Sequence, residues 1–300
     1  MPIIQDVSTD QIVSLEETLD YFSSIDIADR EALLGGASTL RALANNRTFL
    51  AQLIVDELKN LDTLQQTNMY SAQVFTLGKG RNFFMRANFW PALNDSVVQV
   101  SGLRQFFYDT PHDHNFDFLT VGYHGPGYLS DFYEYDHDSV AGYIGEKVAL
   151  RYVGREALPR GRIMLYRASV DIHNQLPPES FSISVNVMSD IASQVTTVNQ
   201  YMLELPSGII TELGNRTSLP LICEAAAEIG DEECMDVLDQ LRRTHPYPRG
   251  RFSAHHALAR LRKQDAHRIW SEAAADPAKY VHVQARIRLA QMEGEALVTA

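Results

Sequence analysis

Cysteine is almost absent from this chain of 300 residues, which contains only Cys223 and Cys234. The two lie eleven positions apart and form no Cys-x-x-Cys pair, which argues against a disulfide scaffold and against a thiolate zinc site. No run of apolar residues is long enough to span a bilayer. The first residues also lack the basic and apolar regions of a secretion signal. We therefore expect a cytoplasmic protein without a membrane segment.

Phosphate-binding and serine-hydrolase motifs are missing as well. The chain contains no Gly-x-Gly-x-x-Gly, no Walker-type Gly-Lys-[Ser/Thr] loop and no Gly-x-Ser-x-Gly segment. Basic residues are fewer than acidic ones: 26 Lys and Arg against 38 Asp and Glu give a net charge of −12. Residues 218–300 hold 11 basic and 12 acidic residues, so nearly all of the excess acid lies before them. A chain with this balance is not expected to bind nucleic acid as its main partner.

Helical spacing of apolar residues marks the two ends of the chain. In residues 1–66 the pattern predicts an N-terminal helical segment that packs on the next domain. Residues 218–300 predict five helices, and two runs within them, from Phe252 and from Val283, share one apolar pattern about 31 residues apart. A helix pair that recurs at this distance resembles a HEAT-type repeat, although a plain helical bundle fits the same pattern.

The central part of the chain, residues 67–217, has a different texture. Short aromatic and β-branched segments alternate there with Gly, Pro, Asn and Asp, which is typical of strands joined by turns. About ten short strands without a helix between them predict an antiparallel sandwich or barrel. The whole chain is therefore predicted to be of the α+β class, with a β domain flanked by helices.

Histidine is concentrated in the β-rich part, where five of the ten histidines lie between residues 112 and 173. His112 and His114 form a His-x-His pair, and alternate residues of a strand point to one face, so both imidazoles can reach one point. Asp117 offers a carboxylate three residues later. The pattern favours a metal site over a merely hydrogen-bonded polar cluster.

Two stretches of the sequence resemble the two motifs of the cupin superfamily, over residues 69–210. The first is His112, His114, Asp117 and Gly125, and the second is Gly154, Pro159, Gly161, His173 and Asn174. An Asp stands where the cupin motif has Glu, one residue early, and the spacing from Gly161 to His173 exceeds the strict pattern. The resemblance implies an antiparallel β-barrel that holds one metal ion.

The same resemblance implies the ligands of the ion, which are His112, His114, His173 and Asp117. Glu134 is the alternative carboxylate, because the predicted strand Phe132–Tyr135 could place it inward. Three imidazoles and at most one carboxylate select a first-row transition metal. Fe(II) is the leading candidate, because two histidines and a carboxylate are the ligands of non-haem iron oxygenases. Copper, manganese, nickel and zinc also fit such a site.

Substrate contacts are predicted for four residues near this site: Arg104, Tyr123, Glu134 and Arg167. An arginine that points inward from a strand would bind a substrate carboxylate through two hydrogen bonds. The alternative for each arginine is an outward, solvated position. Many aromatic residues surround the histidines, and they fit either a pocket lining or an ordinary core.

The function predicted from these features is a metal-dependent oxygenase that uses O2 on a small polar metabolite, such as an amino acid or a natural-product intermediate. Two other functions fit the same residues. One is a non-catalytic metal- or ligand-binding sensor or scaffold whose helical tail docks a partner, and the other is a metal-dependent isomerase or lyase. The sequence names no substrate and carries no motif for 2-oxoglutarate. The cupin resemblance also suggests a homodimer.

Overall fold

The computed structural model describes residues 1–60, 65, 71–215 and 217–294 of the chain. The chain divides into two compact units. The first unit comprises Met1–Tyr135 and Ala149–Gln194, and the second comprises Asp136–Val148 and the chain from residue 195 onward. None of the helices in these ranges is both long and apolar enough to cross a membrane.

Nine strands of the first unit form two antiparallel sheets. The six-stranded sheet has the order β1-β7-β4-β9-β3-β2, and the three-stranded sheet has the order β6-β5-β8. The strands are β1 (Ile3–Gln5), β2 (Val74–Gly80), β3 (Phe83–Trp90), β4 (Phe118–His124), β5 (Leu129–Glu134), β6 (Arg151–Ala157), β7 (Ile163–Tyr166), β8 (Asp171–Leu176) and β9 (Ser182–Ser189). Every pairing between neighbouring strands of these sheets is antiparallel.

Four helices cover one face of the six-stranded sheet: α1 (Leu15–Ser24), α2 (Arg30–Gly35), α3 (Ala37–Asn45) and α4 (Phe49–Lys59). Helix α1 begins with a capping box, in which Ser14 and Glu17 each bind the backbone N–H of the other. Alternate residues of the sheet, such as Leu119 and Val121, pack with Phe22 and Leu40 in one buried apolar cluster. Burial of this amphipathic face, rather than helix propensity alone, holds the helices on the sheet.

The other face of the six-stranded sheet packs against the three-stranded sheet. Phe118 and Tyr166 from the larger sheet share an apolar cluster with Phe132 from the smaller one. The described strands thus form a two-layer sandwich, and a closed barrel is not found among them. The physical reason is that the two sheets contact each other through their side chains. Strands β1 and β2 are the edges of the larger sheet and β6 and β8 the edges of the smaller one, so the two ladders do not join into one. The predicted antiparallel β structure between helical ends is confirmed at this coarser level.

Two segments of the β-rich part are not strands in the structure. By their β-branched and aromatic residues, Val97–Val100 and Gln105–Tyr108 count among the predicted short strands, but the structure has helix α5 (Ser96–Ser101) and a short 3-10 turn, Leu103–Gln105, followed by irregular backbone. Val98 is buried while Val100 is exposed, so these residues do not share one face as they would in a strand. The β-branched residues were misleading here because β-propensity is a weak guide in a short segment.

The described residues of the second unit form a hairpin and five helices that follow it. The hairpin joins β10 (Tyr201–Glu204) to β11 (Ile209–Leu213), and α6 (Ala192–Thr197) precedes it. The helices are α7 (Leu219–Ile229), α8 (Glu232–Thr244), α9 (Pro248–Leu261), α10 (Ala266–Ala273) and α11 (Lys279–Glu293). Buried residues of α9, among them Ala254 and Leu258, pack with Trp270 of α10 and Val281 of α11. The five predicted helices are present, and their HEAT-like arrangement stays a prediction.

The three domains expected at 1–66, 67–217 and 218–300 also stay a prediction. Within the first unit, the N-terminal helices share one core with the strands that follow them. Hairpin β10–β11 belongs to the unit of the C-terminal helices.

The shared core of helices and sheet makes Leu40 a test of the fold. Leu40 of α3 is fully buried, whereas Leu58 of α4 is 60% exposed. We expect Leu40→Ala to lower the free energy of unfolding by about 2–5 kcal/mol, because it removes apolar contacts and leaves a cavity. The matched control Leu58→Ala should change it by less than about 0.5 kcal/mol. Urea denaturation measures both, and equal losses would contradict the packing described.

Candidate metal centre

A backbone pairing brings two of the candidate ligands together. His112 donates its N–H to the carbonyl of His173 (3.1 Å), and His173 donates its N–H to the carbonyl of His112 (2.9 Å). This closes an isolated antiparallel bridge between the segment of His112 and strand β8. Directly opposed residues of such a pair point their side chains to the same face. The two imidazoles therefore meet although 61 positions separate them in the sequence.

His114 joins the pair from the same extended segment. Its carbonyl accepts a hydrogen bond from the N–H of Ser169 (2.7 Å), which holds the segment against the turn before β8. The ring centroid of His114 lies 4.8 Å from that of His112 and 5.0 Å from that of His173. One nitrogen from each of the three rings lies within 4.8 Å of the others, and we call these three residues the histidine triad.

The hydrogen bonds of His112 determine which of its nitrogens is available. Its Nδ1 lies 2.7 Å from the carbonyl oxygen of Thr110 and must donate a proton to it. Nε2 of His112 then carries the lone pair that can bind a metal, and this atom lies 3.1 Å from Nε2 of His173. Two nitrogens bound to one ion at about 2.1 Å would lie about 3 Å apart at a right angle. The carbonyl of Thr110 also orients the ring, as hydrogen-bonded partners of ligating histidines commonly do.

All three imidazoles are neutral at physiological pH. Burial lowers the pKa of His112 to about 4, with a smaller contribution from the charge of Arg86. Burial also lowers the pKa of His114 and His173 well below the usual value, and their neighbouring imidazoles lower it further. A neutral imidazole is the form that binds a metal. The triad therefore fits a transition-metal ion without first losing protons.

Aromatic rings surround the triad. The rings of Phe118 and Tyr166 stack on each other at 4.3 Å, and both contact the histidines, at 5.0 Å from His114 and 4.8 Å from His173. Phe107 packs edge-on against His112 at 4.9 Å. These rings keep bulk water from the inner side of the triad, which strengthens electrostatic interactions there.

Polar residues that the sequence analysis did not single out lie on the inward face of the six-stranded sheet. Arg86 of β3 stands opposite Asn186 of β9, which in turn stands opposite Thr120 of β4. Their alternation with apolar residues is visible in the sequence, but a polar face reads as solvent-facing until the second sheet is known. The charge of Arg86 acts on both His112 and His114.

The structure does not bring Asp117 into the triad. Its carboxylate accepts two hydrogen bonds from the guanidinium of Arg30, at 2.9 and 3.0 Å, and another from the N–H of Ala168. This bidentate ion pair joins α2 to the β-sandwich and occupies both carboxylate oxygens. The physical reason is the alternation of side chains in an extended segment: Phe116 and Phe118 both contact His114, so Asp117 between them points to the opposite side.

The four predicted substrate contacts lie elsewhere. Arg104 is exposed in the turn Leu103–Gln105 and is not in a strand. Tyr123 points to the helices, where its hydroxyl donates to the carbonyl of Asn46 (3.0 Å) and Arg47 lies over its ring. Tyr123 therefore lies on the face of β4 opposite to Phe118, which contacts the triad.

Glu134 and Arg167 bind each other rather than the triad. The guanidinium of Arg167 donates to Glu134 (2.7 Å) and to Asp171 (2.6 Å). Glu134 also pairs with Arg151 and with the amino group of Met1. These contacts lower the pKa of Glu134 to about 2, mainly through the hydrogen bond from the amino terminus. The charges of Glu134 and Arg167 are thus engaged in a network that fixes the start of β1 to β5 and β8.

Comparison with known proteins assigns no family to this chain. No protein-family model matches it, and no curated protein matches it. Among solved structures, it is similar to a hydroquinone 1,2-dioxygenase from Sphingomonas sp. with 4-hydroxybenzoate bound, at 12% identity over 42% of this chain and 70% of that chain, with a TM-score of 0.28.

Two further solved structures overlap more of this chain. An oxalate oxidase in complex with glycolate covers 66% of this chain and 76% of its own, at 12% identity and a TM-score of 0.24. A DMSP lyase from Ruegeria pomeroyi covers 63% and 77%, at 11% identity and a TM-score of 0.22. Scores this low carry no assignment of fold or function, which therefore depends on the strands and side chains described above.

Because the three imidazoles of the triad are buried in their neutral form, we expect acid to destabilise the metal-free protein. A histidine whose pKa is lowered on folding contributes stability that is complete above its unfolded pKa of about 6.5 and is lost as the pH falls toward 4. After chelator treatment, we expect the free energy of unfolding to fall across this window by about 1.4 kcal/mol per pH unit for each such histidine. Urea denaturation at several pH values measures this slope. In His173→Gln the free energy of unfolding should fall less steeply with pH, by the contribution of one histidine, and equal slopes in the two proteins would contradict the assignment.

The ion pair of Asp117 predicts that its carboxylate is dispensable for metal binding. We expect Asp117→Asn to keep the metal content of the wild type, measured by mass spectrometry of the ion, while it lowers stability through the loss of the Arg30 contact. His112→Gln is the matched comparison and should lose the metal. If Asp117→Asn loses as much metal as His112→Gln does, Asp117 is a ligand and the assignment is wrong.

Proposed function

We propose that this protein is a metal-dependent oxygenase of the non-haem iron type, acting on a small polar metabolite with O2. The observation that carries the proposal is the convergence of three buried, neutral imidazoles beside an interior lined by aromatic and polar side chains. A closed structural zinc site commonly uses thiolates, whereas catalytic metal sites keep positions open for substrate. Three histidines leave such positions.

We further propose His112, His114 and His173 as the ligands of the ion, without Asp117. Fe(II) is the first choice, and copper, manganese, nickel or zinc would be bound by the same donors. When bound, the metal supplies a Lewis acid and a site for O2 and substrate at adjacent positions. The chain supplies the neutral imidazoles, their orientation and an interior from which water is excluded.

Two tyrosines of this interior supply protons or hydrogen bonds. Tyr128 and Tyr166 are fully buried, and their hydroxyl oxygens lie 3.5 Å apart. Burial raises the pKa of Tyr128 to about 12 and that of Tyr166 well above its usual value, so both remain protonated. Tyr166 packs directly on His173 and is the nearer of the two to the triad. Its hydroxyl is positioned to donate to a substrate group rather than to carry negative charge.

The experiment that tests the metal site compares two histidines of the same segment. His114 belongs to the triad, and His124 lies exposed at the end of β4. Purified anaerobically and supplied with Fe(II), the wild type and His124→Ala should each hold one ion per chain. His114→Ala should lose most of its affinity for the ion, because two imidazoles remain. Equal metal content in all three proteins, or none in the wild type, would contradict the site.

Oxygen uptake then separates the oxygenase from the other functions. With iron bound and a mixture of small metabolites supplied, we expect oxygen consumption that His114→Ala abolishes and His124→Ala retains. Stoichiometric metal without oxygen uptake would contradict the oxygenase and would favour the two alternatives, a non-catalytic metal- or ligand-binding sensor or scaffold and a metal-dependent isomerase or lyase. Circular dichroism confirms that each variant is folded.

The remaining expectations extend this proposal to the whole chain. We propose that the first unit is a cupin-like domain, on the strength of the His-x-His segment and the distant His173 that pairs with it. The helices of the second unit are proposed to be HEAT-like and to serve as a docking surface. A cytoplasmic location and a homodimer complete the proposal. Analytical ultracentrifugation tests the homodimer, and a single species of monomer mass would contradict it.

A further inference from the structure

The two faces of the six-stranded sheet differ in chemistry. The face toward α1–α4 is apolar and forms the larger buried cluster. The inward face carries the polar side chains of Arg86, Asn88, Thr120, Ser184 and Asn186, of which the last four are at least nine-tenths buried. A face that only filled a core would bury apolar groups, because buried polar groups require partners. Each inward polar residue therefore requires a hydrogen-bond partner, either in the protein or in a ligand.

Some of these residues satisfy one another. The hydroxyl of Thr120 donates to Oδ1 of Asn186, and Nε1 of Trp90 donates to Oγ of Ser184 at 3.0 Å. Each pair gives its donor an acceptor inside the protein. These pairs have a structural role. Arg86 and Asn88 are the inward residues that take no part in them.

Two amide oxygens of the same interior have no partner. Asn88 on β3 and Gln175 on β8 are 7% and 6% exposed, and neither side-chain oxygen accepts a hydrogen bond among the described residues. Gln175 is two residues beyond His173 on β8 and so shares its face, as Asn88 shares the face of Arg86. A buried acceptor without a donor is unfavourable. Two of them that face one interior from opposite sheets indicate a ligand with N–H or O–H donors.

Arg86 adds a positive charge to this interior. It is half-buried on β3, between Met85 and Ala87, which point to the helices, so its own side chain points to the inner face. It stands opposite Asn186, which stands opposite Thr120, and Thr120 is two residues along β4 from Phe118, whose ring lies 5.0 Å from that of His114. A guanidinium binds a carboxylate through two parallel hydrogen bonds, a geometry that a lysine does not reproduce.

We propose that the space between the two sheets is a substrate subsite for a small carboxylate that carries an amino or hydroxyl group, with Arg86 binding the carboxylate and Asn88 and Gln175 accepting from the donor group. The inference rests on the proposed function in one respect, since it places this metabolite beside the triad. The binding itself needs only the residues of the two sheets. It names a substrate class, which is an amino or hydroxy acid.

Calorimetry with matched probes tests the carboxylate contact. Propanoate and 3-phenylpropanoate are compared with their neutral amides on the purified protein, whose metal content is measured in the same sample. We expect the carboxylates to bind about tenfold or more tightly than the amides, and Arg86→Gln to abolish this preference. Arg86→Lys should keep a reduced preference. Arg81→Gln, an exposed arginine in the turn before β3, is the matched control and should behave as the wild type.

L-Alanine and L-phenylalanine test the donor group, since each adds an amino group to one of the two acids. They should bind more tightly than the parent acids, and the gain should vanish in Asn88→Ala or Gln175→Ala while binding of the parent acids remains. Equal binding of acids and amides, an unchanged preference in Arg86→Gln, or no detectable binding of any acid at millimolar concentration would overturn the proposal.

The results also separate this inference from the proposed function. Carboxylate binding that depends on Arg86 in a protein that holds no metal would support the subsite and contradict the oxygenase. One metal ion per chain with no carboxylate binding would do the reverse. Thermal denaturation of each variant confirms that a loss of binding is not a loss of folding.

Discussion

The reciprocal backbone hydrogen bonds between His112 and His173 are the constraint on which the rest of the site depends. They join the segment before β4 to strand β8 and place two imidazoles side by side, with a third one two residues along. A pairing in extended backbone positions side chains more rigidly than a loop, and rigid placement is what a metal centre requires. The aromatic packing around the triad and its burial follow from where this bridge lies, at the inner edge of the sandwich.

Electrostatics in this interior are consistent from one residue to the next. The imidazoles are neutral, the two tyrosines stay protonated, and the charge of Arg86 acts on His112, His114 and Tyr128. The two carboxylates that the sequence predicts as ligands are engaged elsewhere, Asp117 with Arg30 and Glu134 with Arg167. A metal ion bound by neutral donors keeps its full charge, and an anionic substrate would then be attracted both by the ion and by Arg86.

The sequence was sufficient for the parts of the site that depend on local spacing. His112 and His114 share a face because any extended segment places residues two apart on one side. His173 could be added only through a resemblance, since the register that pairs it with His112 depends on the folded sheets. Asp117 was a reasonable ligand by spacing, but α2 supplies an arginine that binds it, and no local pattern reveals a contact across 87 positions. Arg86 and Asn88 were missed because alternation shows that a strand has two faces, not which face meets a second sheet.

The central claim, that the triad holds a transition-metal ion, is tested most directly by anomalous diffraction from crystals grown with Mn(II) or Co(II). The account predicts one strong anomalous peak per chain in the first unit, with nitrogens of His112, His114 and His173 at about 2.0–2.2 Å from it. The carboxylate of Asp117 should remain on Arg30. A peak at Asp117 or Glu134, or the absence of any peak at the triad, would contradict the account.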